Sequence, residues 1–520
     1  MPRNERKRPN LLFVLVDQMR YAAMGCAGNG QVSTPNLDRL AAEGVIFDNA
    51  TSTVGVCTPA RACLLTGRYP LSSTVLTNNS MLPNDMPSMG KMLRDEGYAT
   101  GHIGKWHLSG EAYIGQTQYN EFQNGYIPPG ELRHGFDYWA THHCSHAYWD
   151  ATYYRDTPEP IHIEGWEPDT QTDLAIEFIR ERTGGEQAER DPFALVVSWG
   201  PPHTPFTCPP EFRELYDTEL LDLRENVLSP PSGFPCTVEL QEVDDPEAVL
   251  RDWTASYYGA ISSLDHNLGR LLATLEHQGI ADDTIVVFTS DHGEMLGSHG
   301  QMYKVQPWDE SMRIPLLVRY PGAVRGGTRL QAPIGQPDVL PTLLGLMGLD
   351  IPGGVEGDDL SPVLRGEKAD PVDRVAYVLW VCSAITWGKK WQYVDEYRGL
   401  GAPRGFVRPY RGIRTRNHTY VRGRSGPWVL CDNDRDPYQM QNLVQSGDPG
   451  AVPPELEREL QGWIERTGDL LEDTDYYRDL ISLETGLCME PERLRRELQV
   501  RGGAVASFPA RPSMEERKST

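Results

Sequence analysis

Long hydrophobic runs are scarce in this 520-residue chain. The first apolar stretch, Leu11 to Val16, is six residues long before Asp17 interrupts it, and Met1 to Asn10 ahead of it is basic and polar. That is too short for a signal-peptide core and far too short to span a bilayer. No other stretch approaches transmembrane length, so a cytoplasmic protein without a membrane partner is expected, with Leu11 to Val16 as a buried strand. Positive charge is also in short supply: 49 Lys and Arg stand against 73 Asp and Glu, a formal net charge of -24. Such a balance argues against a nucleic-acid or anionic-membrane surface, because both need a basic face. An anionic substrate would have to meet a local basic pocket inside an acidic molecule. Nine cysteines are scattered, odd in number and without paired spacing, which fits reduced thiols rather than a disulfide framework. No internal repeat or long low-complexity run is present.

What the chain does have is a regular alternation. Leu11 to Val16, Ala99 to Gly104, Phe193 to Trp199, Thr284 to Ser290 and Ile314 to Tyr320 read as strands. Between them lie helical patterns: one capped by Thr34-Pro35 and ended by Gly44, then Met86 to Glu96, Thr172 to Arg182, Arg251 to Gln278 and Gln336 to Met347. This alternation implies parallel pairing in an α/β sheet covered on both faces. Active groups in such sheets gather at the carboxyl ends of strands. Asp17, the His102/Lys105/His107 group, His203 and Asp291-His292 all follow strand ends.

Cys57-Thr58-Pro59-Ala60-Arg61 stands out among these patterns. Pro59 suits the first turn of a helix, which places Cys57 at the helix N-terminus and Arg61 one turn along on the same face. Unpaired backbone donors, the positive helix end and a guanidinium together make an anion site there. A buried cysteine beside a surface arginine is the plainer use of the same residues.

Extended through Ala62-Cys63-Leu64-Leu65-Thr66-Gly67-Arg68, the run resembles the sulfatase signature. Five further blocks resemble the same family in family order: Leu12 to Gln18, Thr34 to Ala41, Gly101 to Leu108, Pro201-Pro202-His203-Thr204-Pro205, and Thr289 to Gly297. The resemblance implies an alkaline phosphatase-like α/β/α sandwich with a mostly parallel central sheet, and a smaller C-terminal α+β domain with an antiparallel sheet. It implies that a maturating enzyme oxidises Cys57 to formylglycine, whose hydrate attacks a small sulfate ester. Asp17, Asp291 and His292 match the family's metal ligands, joined by residue 57. Arg61 and Lys105 would hold the hydrate and the sulfonyl group, His203 and Lys304 would protonate the departing alcohol, and His107 would deprotonate the second hydroxyl.

One departure bears on the metal. Many relatives carry two aspartates at the end of the first strand, whereas this chain has Asp17-Gln18. An amide oxygen at Gln18 still suits a cation, with one charge fewer; Ca²⁺ is the first expectation, and Mg²⁺, Mn²⁺ and Zn²⁺ remain open. Phosphonate and phosphate ester hydrolases share the single aspartate and the later Asp-His pair, but lack the lysine and histidine of Gly104-Lys105-Trp106-His107. Sulfate is therefore favoured. A binding protein that leaves Cys57 unmodified is the rival from outside enzymes.

Other groups have plainer readings. His142, His143 and His146 beside Cys144 resemble a zinc cluster but lack a second ligand pair, so they are expected to line the pocket or to lie at the surface. Asp38 reads as a solvated or capping charge, and His102 as structural or as support for the site. Loops at 116–166, rich in Tyr, Trp, His and Gly, at 207–246, rich in proline and acid, and at 383–410, with aromatic and basic groups, suit a sugar or aryl ring, and equally a homo-oligomer interface. Domain boundaries are expected at 1–370, 371–500 and a mobile tail at 501–520.

Overall fold

The computed structural model of the protein describes residues 8–78, 80–110, 125–184, 191–230, 238–241, 243–381, 409–446 and 451–469. Eight strands form the central sheet: β1 (Asn10–Asp17), β2 (Val45–Phe47), β3 (Ala99–Lys105), β4 (Tyr138–His142), β5 (Phe193–Pro202), β6 (Thr284–Ser290), β7 (Leu316–Arg319) and β8 (Thr328–Leu330). Their order is β8-β2-β7-β6-β1-β5-β3-β4. Every neighbouring pair is parallel except those made by β7, which runs against both β6 and β2.

Alternation along β1 explains why Leu11 to Val16 are all apolar. Leu12, Val14 and Val16 enter one core, whereas Leu11, Phe13 and Leu15 enter the other. Both faces of a doubly covered strand must be hydrophobic. On the first face lie α1 (Pro35–Glu43), α3 (Glu167–Thr183) and α4 (Pro246–His277); on the second lie α2 (Cys57–Thr66) and α5 (Val339–Met347). The expected α/β sandwich is therefore present, with β7 as an antiparallel exception. Among the described residues no helix is long and apolar enough to cross a membrane.

Thr34 precedes α1 as expected, but its hydroxyl does not cap the helix. Asp265 of α4 does so from a distance, accepting from Asn36 N at 3.1 Å and Leu37 N at 2.7 Å. Asp38 instead accepts from Cys26 N at 2.6 Å, closing the turn before the helix. The His102 ring sits edge-on to Trp106 and Phe136 at centroid distances of 5.1 and 5.3 Å, and burial drops its pKa to about 3. The helix expected from Met86 begins only at Met89, after Pro87, which disfavours helical geometry in the residue before it.

A second, antiparallel sheet contains β9 (Ala376–Trp380), β10 (Tyr410–Arg414), β11 (His418–Gly423) and β12 (Gly426–Asp432) in sequential order, with α6 (Pro454–Arg466) packed on it. Its apolar face shares a core with Val54, Val56, Val305 and Met312. Tyr410 donates its hydroxyl to Val305 O at 3.1 Å, and Arg414 pairs with Asp309 at 2.7 Å. The small sheet thereby braces the loops on either side of the strand ends. The expected tail at 501–520 and the aromatic group Trp387, Trp391, Tyr393, Tyr397, Arg404 and Arg408 lie outside the described residues.

Close packing between β3 and β5 yields one stability prediction. Gly104 has φ of +91°, and a Cβ there would stand 2.1 Å from Ser198 O. Gly104→Ala is expected to destabilise by roughly 2–5 kcal/mol, combining left-handed strain with overpacking against backbone. A fall in the thermal midpoint checks this; an unchanged midpoint contradicts it.

Candidate active site

β1, β3, β5 and β6 are adjacent in the sheet and end at one rim, which brings residues distant in sequence together. A register shift between Val16 and Asp17 breaks the regular pairing with β5, so Asp17 leaves the pleat where the chain turns across the rim. Gln18 follows with φ of +68°, fixed by its N–H to Asp291 Oδ1 at 3.1 Å and by the Tyr257 hydroxyl on its carbonyl at 2.8 Å. From the second face α2 points its N-terminus at the same rim. Cys57 is its first residue and Arg61 lies one turn along, as the proline spacing implied. All ten of Asp17, Gln18, Cys57, Arg61, Lys105, His107, His203, Asp291, His292 and Lys304 are 0–3% exposed, so their charges are compensated by one another rather than by water.

Arg61 is the hub of the arrangement. Its Nε bonds Asp291 Oδ2 at 3.0 Å and one Nη bonds Asp17 Oδ2 at 3.2 Å. The other Nη reaches Ser198 Oγ at 2.8 Å and Lys105 O at 3.1 Å. Lys105 Nζ adds a 2.5 Å contact to Asp17 Oδ2 and lies 4.0 Å from Cys57 Sγ. Lys304 Nζ approaches the same sulfur at 3.5 Å. Burial by itself would raise the Asp17 pKa, but Lys105, His203, Arg61 and Lys304 outweigh it and hold the carboxyl well below the usual range. Burial and Asp17 push the Cys57 thiol up; Lys105, Lys304 and His292 prevail and bring it down.

Asp17, Cys57, Asp291 and His292 present ligand atoms that all lie within 4.8 Å of one another. His292 Nδ1 is hydrogen-bonded to Gly293 O at 3.0 Å, which turns Nε2 inward, 3.2 Å from Cys57 Sγ and 3.6 Å from Asp17 Oδ1. Fixing one ring nitrogen on a carbonyl to aim the other is how histidine ligands are held. Two carboxylates, an imidazole nitrogen and a fourth atom from residue 57 fit a divalent cation. This is the only such group among the described residues, so the zinc-like look of the His142 to His146 stretch is not borne out. That stretch lines the site instead, with His146 stacked on His203 at 4.4 Å and His143 edge-on to His107 at 5.4 Å.

Gln18, expected to offer its amide oxygen to the cation, has both ends of its amide hydrogen-bonded. Its Oε1 accepts from Lys304 Nζ at 2.6 Å and its Nε2 donates to Glu294 Oε2, so both amide ends are engaged with side chains outside the ligand group. His107 follows Lys105 at the end of β3 with φ of +57°, and both its buried ring nitrogens are without a hydrogen-bond partner. Burial, Lys105 and His143 keep it well below the usual imidazole range, so the ring rests neutral. His203 Nδ1 is 2.8 Å from Thr204 O, leaving Nε2 for the site; burial, Lys304 and His146 hold its pKa down. Two participants escaped the sequence reading. Ser198 is a polar residue inside the apolar run of β5, and Glu294 lies in the block after β6; the first is the kind of signal that could have been noticed.

Comparison with known proteins agrees with this geometry. The chain matches the Sulfatase family over residues 9–349, and the C-terminal region of N-sulphoglucosamine sulphohydrolase over residues 297–466. It is 37% identical to an ulvan-active sulfatase of Formosa agariphila, over 91% of this chain and 84% of that protein. It is 26% identical to an N-acetylglucosamine-6-O-sulfatase of Bacteroides thetaiotaomicron, over 91% and 88% of the two chains. The structure of a protein bound to its substrate D-glucosamine-2-N,6-O-disulfate superposes with a TM-score of 0.74 at 25% identity, covering 89% of this chain and 99% of that one. From its matched length and its identity to these relatives, the chain belongs to the sulfatase family, whose enzymes are sulfuric ester hydrolases.

Proposed function

We propose that this protein hydrolyses a sulfate ester on a small saccharide, using the oxidised form of Cys57 beside a divalent cation. The observation that carries the reading is the buried cluster of Asp17, Cys57, Asp291 and His292 ringed by Arg61, Lys105 and Lys304. Three fixed cations against two carboxylates make a positive pocket in a chain of net charge -24, which is what an anionic group needs. The ulvan and N-acetylglucosamine activities named for the relatives support a sugar as the carrier.

Hydrated formylglycine at position 57 supplies two hydroxyls on one carbon, one to attack sulfur and one to expel the sulfate afterwards. Its formation calls for a maturating enzyme as partner. A cation held by Asp17, Asp291, His292 and residue 57 supplies positive charge for the sulfate oxygens, with Ca²⁺ proposed first because the carboxylates are hard donors. Arg61 fixes both carboxylates and Ser198, leaving Lys105 to face negative charge as it builds on the sulfuryl group. His107, neutral and unpartnered, takes the proton that is released when sulfate departs. His203 and Lys304 protonate the leaving alcohol; the ester's own negative charge acts with Asp17 to raise the His203 pKa towards that task.

Mass spectrometry of the peptide containing Cys57 tests the nucleophile, since conversion removes about eighteen mass units from the thiol form. An intact thiol in active enzyme refutes the proposal and favours the binding-protein reading. Faster turnover of phenylphosphonate esters than of aryl and sugar sulfates would instead favour the phosphonate hydrolase reading, which the Asp17-Gln18 pattern keeps in view. The acid role carries its own prediction. His203→Ala is expected to slow sugar sulfates by about 10²-fold or more while slowing nitrophenyl sulfate far less, because only a poor leaving group needs the proton. Equal losses on both substrates remove His203 from that role.

A further inference from the structure

Glu294 is fully buried and takes three hydrogen bonds from two directions. One oxygen accepts from Leu296 N at 2.8 Å and Tyr303 N at 2.7 Å, amides of the loop that carries Lys304. The other accepts from Gln18 Nε2, and Gln18 Oε1 in turn accepts from Lys304 Nζ at 2.6 Å. The direction of this chain is dictated by its lysine end. The Lys304 ammonium can only donate, so Gln18 must turn its Oε1 to it, and the Nε2 left on the other side donates to Glu294. We propose that Glu294 is a positioning residue that aims Lys304 at the reacting centre through the side-chain amide of Gln18. The same carboxylate fixes the loop bearing the lysine and the acceptor that meets its ammonium, which lies 3.5 Å from Cys57 Sγ.

This account gives the chain's departure at position 18 a purpose. Aspartate has no N–H with which to reach Glu294, whereas glutamine presents a donor and an acceptor at once. The backbone of Gln18 is already held by Asp291 and Tyr257, so the remaining freedom lies in its side chain, and Glu294 removes it.

The inference rests on the reading of Lys304 as a proton donor to the leaving alcohol, and the test separates the two claims. Glu294→Gln keeps an oxygen for the Leu296 and Tyr303 amides but presents an N–H₂ group to Gln18, which must turn its own N–H₂ towards Lys304. In formylglycine-loaded enzyme, kcat on a sugar sulfate is expected to fall about 10- to 100-fold, with nitrophenyl sulfate within about threefold and KM unchanged. Adding Gln18→Glu reverses the polarity of the chain and is expected to restore kcat on the sugar sulfate. A crystal structure of the single variant should show Lys304 Nζ out of hydrogen-bond range of Gln18. Equal losses on both substrates, no recovery in the double variant, or an undisplaced lysine would each overturn the proposal. If Lys304→Ala spares sugar sulfates, the donor reading itself fails; if that variant is impaired and Glu294→Gln is not, only the positioning claim fails. Should Glu294→Gln not fold, Gln18→Leu cuts the same link and must give the same substrate-selective loss, an unselective loss counting against the idea.

Discussion

Cys57→Ser is expected to lower multiple-turnover hydrolysis of sulfate esters by at least about 10³-fold, the scale seen when a covalent nucleophile is disabled. Serine retains a hydroxyl at the head of α2, with Arg61 still one turn along and Lys105 and Lys304 facing it. It can therefore still attack sulfur. What it lacks is the second hydroxyl on the same carbon, so the sulfuryl group has no route off. One equivalent of alcohol should appear without free sulfate, and the intact protein should gain the mass of one sulfuryl group. Sustained turnover by Cys57→Ser defeats the mechanism. Folding should be little changed, because the hydroxyl keeps the ammonium partners that now surround the thiol.

Arg61→Met is the second large effect, and it reaches stability as well as activity. The guanidinium bonds Asp17, Asp291, Ser198 Oγ and Lys105 O in a site closed to water. Removing one member of a buried ion pair leaves uncompensated charge and costs about 3–5 kcal/mol. Here two carboxylates lose their shared partner, and Lys105 remains on Asp17 alone. A divalent cation held by the same carboxylates offsets part of that loss. The thermal midpoint of the variant should thus fall further in chelator than in millimolar Ca²⁺, and the gap between the two conditions should exceed that of the unaltered protein. Equal midpoints with and without metal would show that the carboxylates do not hold a cation. Activity should fall with either variant, but only Arg61→Met should make stability depend more strongly on the ion.

Much of this was legible in the residues themselves. Leu11 to Val16 and Thr284 to Ser290 read as strands because a strand covered on both faces is apolar throughout, and the structure places them side by side. Pro59 and the four-residue spacing of Cys57 and Arg61 placed nucleophile and guanidinium on one helix face. Shorter strands such as Val45–Phe47 gave no such signal, since three residues carry too little period to distinguish a strand from a loop. Nor could periodicity reveal that β7 runs antiparallel, because strand direction depends on the path of the connection and not on which faces are buried.

Local chemistry, then, determined which elements form and which side chains reach the strand ends, because hydrophobic period and helix-start signals act over a few residues. Pairings across hundreds of residues were decided only by the fold. Asp265 rather than Thr34 caps α1, and Gln18 faces Lys304 and Glu294. The physical reason is that a buried donor or acceptor must find its partner among whatever groups packing brings within about 3 Å, and sequence spacing carries no record of that proximity.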